Sequence, residues 1–308
     1  MAKYIIKRLL AGLISLWVLI TITFFLMHSI PGGPFSPAEE RKIPPEVLAK
    51  IEASYGLDKP LYIQYVNYLN NLLHGDLGIS FKDRDTLVND LIERGFPVSA
   101  RVGIVAVIIS LCIGVPLGII SAIYKTKWID RASMIFATIG ISIPGFVITV
   151  LMMFFFCVKF KIFPTFGLSS PLHYVLPVAG LSFYPIAYIT RLLRSSMLET
   201  MRQDYIRTAR SKGVKEIMVI AKHALRNSLM PVVTYLGPLI AGLLTGGFVV
   251  ERLFSIPGIG REFVSSVGDR DYSVTLGITV FYGAFIIIAN LCVDILYVII
   301  DPRVKVEE

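Results

Sequence analysis

Six apolar runs dominate the chain, at about residues 9–30, 99–123, 132–158, 173–195, 229–250 and 274–300. Each reaches the roughly 20 residues that a helix needs to cross the hydrocarbon core of a bilayer. Open sheets leave backbone groups unpaired in lipid, so the runs predict an all-α integral membrane protein with six transmembrane helices. The fourth run is the least apolar. Its Pro177 and Pro185 predict a break, and Arg191 and Arg194 are placed at its cytoplasmic end, where long basic side chains reach the interface. Pro116, Pro144, Pro231 and Pro238 predict bends in other spans. The pairs Gly114/Gly118 and Gly242/Gly246 predict close helix contacts.

The first run is longer than a signal-peptide core and has no small-residue cleavage site before Pro31, so it reads as a retained span. Basic residues orient the bundle. The amino end carries Lys3, Lys7 and Arg8 without an acid. Loop 124–131 carries Lys125, Lys127 and Arg131 against Asp130, and segment 196–228 has seven basic residues against three acidic ones. Segment 31–97 has ten acids against seven bases, and loop 251–273 has four against three. The positive-inside rule puts the first group and both termini in the cytoplasm, Arg303 and Lys305 included. In segment 31–97, PGGPFSP argues against helix at the membrane exit. PPEVLAKIEASYG and YIQYVNYLNNLLHG each predict a short helix, together forming a small cap on the first span. The expected organisation is a tail and first span over 1–30, an extracytoplasmic segment over 31–97, a five-span core over 98–300 and a tail over 301–308.

Composition agrees with this reading. The chain has 308 residues, 55% hydrophobic and only 17% charged, where a soluble domain carries roughly a quarter. The net charge of +8 would suit nucleic acid, but the basic residues flank the spans, where membrane orientation explains them. Cys112, Cys157 and Cys292 all lie in apolar runs without a Cys-x-x-Cys pair. No phosphate-binding loop, His-Glu-x-x-His or Gly-x-Ser-x-Gly is present, and His28, His74, His173 and His223 are scattered. Asp294 is the one carboxylate placed clearly inside a span, near its cytoplasmic end. It pairs with a basic group in one reading and couples a proton in a secondary carrier in the other. With so little intramembrane charge, energy is expected to enter at the cytoplasmic face.

Segment 196–228 is where that entry is expected. Met197, Met201, Tyr205 and Ala209 recur every four residues. After Gly213, the residues Val214, Ile217, Met218, Ala221 and Leu225 share one helical face, with Lys215, Glu216, Lys222 and Arg226 off it. Two short amphipathic helices joined at glycine fit this pattern. Such a pair either lies on anionic lipid or inserts into a cytoplasmic partner, and the glycine break favours insertion.

DYIRTARSKG at 204–213 and HALRN at 223–227 resemble the coupling motif of ATP-binding-cassette importer permeases in the variant typical of dipeptide and oligopeptide systems. YGLDKPLYIQY (55–65), HGDLGISF (74–81), ERLFSIPGIGREFVSSVGDRDY (251–272) and the closing DPRV (301–304) are similar to the same subfamily, in its first permease type. Relative to importer permeases in general, Arg207, His223 and Arg226 stand where glutamate, isoleucine and proline are usual. Permeases for nickel chelates, glutathione and some sugars share the pattern.

The resemblance implies a type I importer permease fold and a chain that is not an enzyme. It implies a second homologous permease, two ATP-binding subunits that hold the ATP and magnesium, and an extracytoplasmic peptide-binding protein, in a bacterial or archaeal cytoplasmic membrane. Membrane lipid is also expected as a partner, nucleic acid is not, and no cofactor is expected on this chain. ATPase coupling is expected at Arg207, Ala209, Arg210, Lys212, Gly213 and Glu216, with small Ala209 and Gly213 permitting close approach. His223 and Asn227 are expected to brace the second helix. Pro257, Gly258 and Gly260 are expected to shape a re-entrant turn of irregular backbone.

Overall fold

The computed structural model describes residues 2–30, 44–83 and 85–300, with the side chains of 2–5, 45, 48, 51 and 294–300 outside that description. The PGGPFSP stretch, the DPRV tail and the side chain of Asp294 therefore lie outside the described residues. The elements are α1 (Ala2–Ser29), α2 (Pro45–Ser54), α3 (Leu61–Leu73), α4 (Val88–Ile123), α5 (Trp128–Ser142) and α6 (Gly145–Met152), the last continuing as π-helix over Met153–Lys159. Next come α7 (Leu172–Thr200), α8 (Asp204–Ser211) and α9 (Glu216–Met218). A π-helical stretch, Val219–Ala224, then leads into α10 (Leu225–Ser228). The chain continues with α11 (Met230–Leu244), α12 (Phe248–Leu253), α13 (Ile259–Asp269) and α14 (Tyr272–Ile300). Among the described residues the extended pairing is one isolated bridge, Ile79 to Leu87.

Five stretches are each long and apolar enough to span a membrane, and the third apolar run makes a sixth if its bent halves count as one. That run is not one straight helix. It breaks between Ser142 and Gly145 and turns through 103° at Pro144, because proline disfavours the helical conformation of the residue before it.

α4 and α7 form the central pair, with α5 and α6 packed on α7, α11 against α4 and α14, and α1 on the outside against α14. The break expected in the fourth run does not occur: α7 runs unbroken through Pro177 and Pro185. Its low apolarity has a packing cause. Half of its most apolar stretch is buried in protein, against 11% for α1, so fewer of its side chains must suit lipid. Buried Ser182 and Thr190 donate to the carbonyls of Ala106 (3.1 Å) and Ile186 (2.7 Å). Contact with α4 keeps α7 in line. A methyl at Gly114 would lie 3.0 Å from Ile189 and one at Gly118 2.9 Å from Leu193, which leaves no room for a larger residue. Gly242 makes no such contact, since nothing lies within 4 Å of its missing side chain.

α4 starts at Val88, eleven residues before the second apolar run, so it extends beyond the membrane into the cap. The buried carboxylate of Asp271 fastens cap to core. It accepts the Ser80 hydroxyl and the Phe81 amide (3.2 Å), and it also accepts the Val274 amide (3.2 Å) in the first turn of α14.

Candidate functional site

Segment 201–228 is a helical hairpin hung from the end of α7. Residues 201–203 turn the chain into α8, and Gly213, at φ +75°, reverses it toward α9. That left-handed conformation costs an L-residue roughly 1–2 kcal/mol, so glycine is the residue that fits. Gly213 itself is exposed and nothing within 4 Å crowds it.

The two helices share a small core of Ile206, Ala209, Val219 and Ala224, with Met201 and Val214 packed around it. Ala209 is buried in that core. It faces inward, and its small size lets α8 approach the second helix. The second helix uses another face than its sequence suggested. Val219, Ala224 and Ser228 are buried, whereas Ile217 and Met218 are 76% and 51% exposed and Ala221 is exposed. The π-helical stretch is the reason: it places i and i+5 on one side, so Val219 and Ala224 align where an α-helix would have aligned 217, 221 and 225.

Arg210 and Glu216 close the hairpin across the glycine turn. The guanidinium donates twice to the carboxylate, at 2.6 and 3.0 Å. The Arg210 guanidinium holds the Glu216 carboxyl below the usual carboxylate range, and Glu216 raises Arg210 in return. Arg207 lies 3.6 Å from Asp204 with both side chains in solvent, where such a pair contributes little. Lys212 is exposed at the turn. The Asn227 side chain donates to the Tyr205 hydroxyl at 2.8 Å and ties the second helix to the first. His223 is half-buried within the π-helical stretch. Ile220, Leu225 and Leu229 pack against the same core as Met197, which seats the hairpin on α7.

A second cluster on α7 was not legible in the chain. Arg194 does not reach for the membrane interface; it makes a two-point ion pair with Asp130 at 2.5 and 2.8 Å. Asp130 is nearly buried and also accepts the Ser121 hydroxyl (2.6 Å) and the Thr126 amide (2.8 Å). One carboxylate thus joins the end of α4, the α4–α5 turn, the start of α5 and the last turns of α7. Asp130 and Arg194 are 64 residues apart, and a count of loop charges carries no information on such a pairing.

On the opposite side of the bundle, Pro257 and Gly258 lie in the short non-helical connection, residues 254–258, between α12 and α13. Gly258 caps α13 and Gly260 lies inside it. Both are small because the buried carboxylate of Glu251 lies against them, and any side chain at Gly258 would collide with it and with the Ser99 hydroxyl. Glu251 accepts the Arg261 amide at 3.1 Å, and Ser99 accepts the Ile259 amide at 3.0 Å. A carboxylate at a helix N-terminus also interacts favourably with the helix dipole. Pro257 precedes this knot.

Between these two ends lies a concave, mainly apolar surface of about 410 Å³ bordered by α6, α7, α11 and α12. Gly145, Tyr184, Tyr235, Pro238, Gly242 and Gly247 are among its lining residues. The rings of Tyr188 and Tyr235 lie 4.5 Å apart and those of Tyr184 and Tyr188 6.1 Å. Among the described residues no cluster of three His, Cys, Asp or Glu could hold a metal ion.

Two family models match. "Binding-protein-dependent transport system inner membrane component" covers residues 114–306, and its N-terminal companion, "Binding-prot-dependent transport system membrane comp, N-term", covers residues 1–103. The dipeptide transport system permease protein DppB of Bacillus subtilis is 47% identical over 308 residues, covering 100% of this chain and 99% of its own. The oligopeptide transport system permease protein OppB of Haemophilus influenzae is 44% identical over 307 residues, covering 99% and 100%. Among solved structures, the MetNI methionine ABC transporter in an inward-facing conformation aligns over 68% of this chain and 96% of its own, with a TM-score of 0.56 and 18% identity. That likeness concerns the fold.

Proposed function

The chain belongs to the family of binding-protein-dependent transport system inner membrane components, and on that premise we propose how it works in peptide import. It is a permease subunit of an ATP-driven importer for dipeptides or oligopeptides, in the plasma membrane, with ATP hydrolysis on separate partner subunits. It forms half of the path beside a second, homologous permease. Two ATP-binding subunits dock beneath, holding ATP and magnesium, and an extracytoplasmic binding protein supplies the peptide. Both termini are cytoplasmic. The division of the chain at 1–30, 31–97, 98–300 and 301–308 is part of the same proposal, with the cap continuing into the amino end of α4.

The hairpin 204–228 is the ATPase docking element. The observation that carries this is the exposed pair Ile217 and Met218, beside the Gly213 turn, on a hairpin whose own core is already filled. Apolar side chains left over from a completed core suit a groove on another subunit. Arg207, Arg210, Lys212 and Glu216, exposed on the same hairpin, supply the polar contacts. Ala209 serves indirectly by holding α8 close to the second helix, and His223 and Asn227 brace that helix. When the ATPases close, the hairpin moves as one piece, and the Asp130–Arg194 pair hands its motion from α7 to α4 and α5. The concave surface around Tyr184, Tyr235 and Gly242 is this subunit's wall of the path. At its outer end, Pro257, Gly258 and Gly260 keep α13 against Glu251.

Ile217→Glu and Met218→Glu test the docking. Each places a charge on the outer face without touching the hairpin core. The expected result is loss of co-purifying ATPase and of peptide uptake at normal membrane levels of the permease. Uptake at the unmodified rate with the ATPases still bound would overturn it.

A further inference from the structure

We infer that α3 is an interfacial helix whose exposed apolar stripe is immersed in the acyl chains of the extracytoplasmic leaflet. The side of the membrane follows from the orientation proposed above; the immersion does not depend on it.

The first observation is depth. The Tyr65 hydroxyl of α3 hydrogen-bonds the Thr21 hydroxyl of α1 at 2.6 Å, and the Tyr65 ring packs on Phe24 (5.3 Å) and Phe25 (5.5 Å). Lys7 and Arg8 hold the inner end of α1 at the membrane surface. With a rise of 1.5 Å per residue, Thr21 lies about 18 Å beyond Leu9 and about 12 Å short of Ser29. A hydrocarbon layer of about 30 Å that begins near Leu9 therefore contains Thr21, and α3 lies beside it.

The second observation is how α3 divides its surface. LYIQYVNYLNNLL has no charged residue. Gln64, Asn67 and Asn71 fall on one side and line a cavity of about 470 Å³ shared with Tyr68 and Tyr272. Tyr65 and Tyr68 face α1. Tyr62, Val66 and Leu73 form a stripe at i, i+4 and i+11 and are 68%, 60% and 86% exposed. No described element covers that stripe. Tyr65, next to Val66 in the chain, packs on exposed Phe25, and the exposed row on α1 continues from there through Ile22 and Val18. Lipid that bathes α1 reaches the stripe across the Tyr65 ring, while exposed Asn70 borders the stripe on its other side. A helix with one polar face, one apolar face and no charge suits this position.

The test uses the assembled transporter in lipid nanodiscs, with Cys112, Cys157 and Cys292 replaced. Spin labels are placed singly by Val66→Cys and Leu73→Cys, with Lys59→Cys as the aqueous reference. Collision rates with oxygen and with a water-soluble nickel chelate are then compared. The expected oxygen-to-nickel ratio at both stripe positions is at least about tenfold that at Lys59. A ratio equal to that at Lys59 would show the stripe in water and overturn the inference. Low collision rates with both reagents would show a protein cover, such as the second permease, and overturn it equally. Measuring peptide uptake alongside separates this result from the proposed function, which stands or falls on transport.

Discussion

Arg194→Met removes one partner from a buried ion pair and leaves the Asp130 carboxylate with two of its donors, Ser121 and the Thr126 amide. Asp130 is 3% exposed, so water cannot replace the guanidinium at full strength. Breaking a buried pair from one side costs about 3–5 kcal/mol. The two surviving hydrogen bonds and the part-exposure of Arg194 put the expected loss near the lower end, about 3 kcal/mol. Deleting both charges with Asp130→Leu and Arg194→Met removes the stranded carboxylate. The double variant is expected to recover about a third of that loss, the remainder being the unpaired Ser121 and Thr126 donors at about 1 kcal/mol each. Equilibrium unfolding in mixed micelles, run as a double-mutant cycle, measures each quantity. Uptake and ATPase activity, measured in parallel, report whether hydrolysis continues while transport fails. A loss below about 1 kcal/mol for Arg194→Met would place the pair among solvated surface bridges. The argument that it joins α7 to α4 and α5 would then be wrong.

Three further outcomes follow from the same geometry. Glu251→Ala strips the acceptor from the first turn of α13 and is expected to cost about 1–3 kcal/mol, read in the same unfolding assay and as faster proteolysis near Ile259–Asp269; unchanged stability would contradict it. Gly242→Trp fills the concave surface at a point where nothing lies within 4 Å, so insertion and ATPase binding are expected to persist while uptake falls at least about tenfold; normal uptake would remove that surface from the path. Glu216 has a folded-state pKa below its unfolded value near 4.3 because Arg210 pairs with it, so the pair's contribution is present above that value and is lost as pH falls through the lower folded one. A spin label at Lys212→Cys should gain mobility over that acid range, and Glu216→Gln should abolish the acid-dependent step; an identical pH profile in both would refute the assignment.

The sequence by itself determined the membrane class, the positions of the apolar runs and the existence of a helix–glycine–helix between two of them. These are properties of local period and composition, since a run of 20 apolar residues or a glycine between two amphipathic stretches means the same wherever it packs. Family membership was legible as well, in DYIRTARSKG and HALRN. What needed the tertiary structure was every feature set by a partner distant in the chain. Asp130 and Arg194 meet only because α5 and α7 pack together. Glu251 explains Gly258 and Gly260 only once α12 and α13 fold back on each other. Pro177 and Pro185 predicted a break that α4 prevents, whereas Pro144 bends its run through 103°. In the hairpin a π-helical stretch moved the buried face from Ile217 and Ala221 to Val219 and Ala224 and left Ile217 and Met218 outside. A periodicity of 3.6 residues cannot anticipate that shift, because the extra residue per turn is set by how the helix packs on α7 and α8.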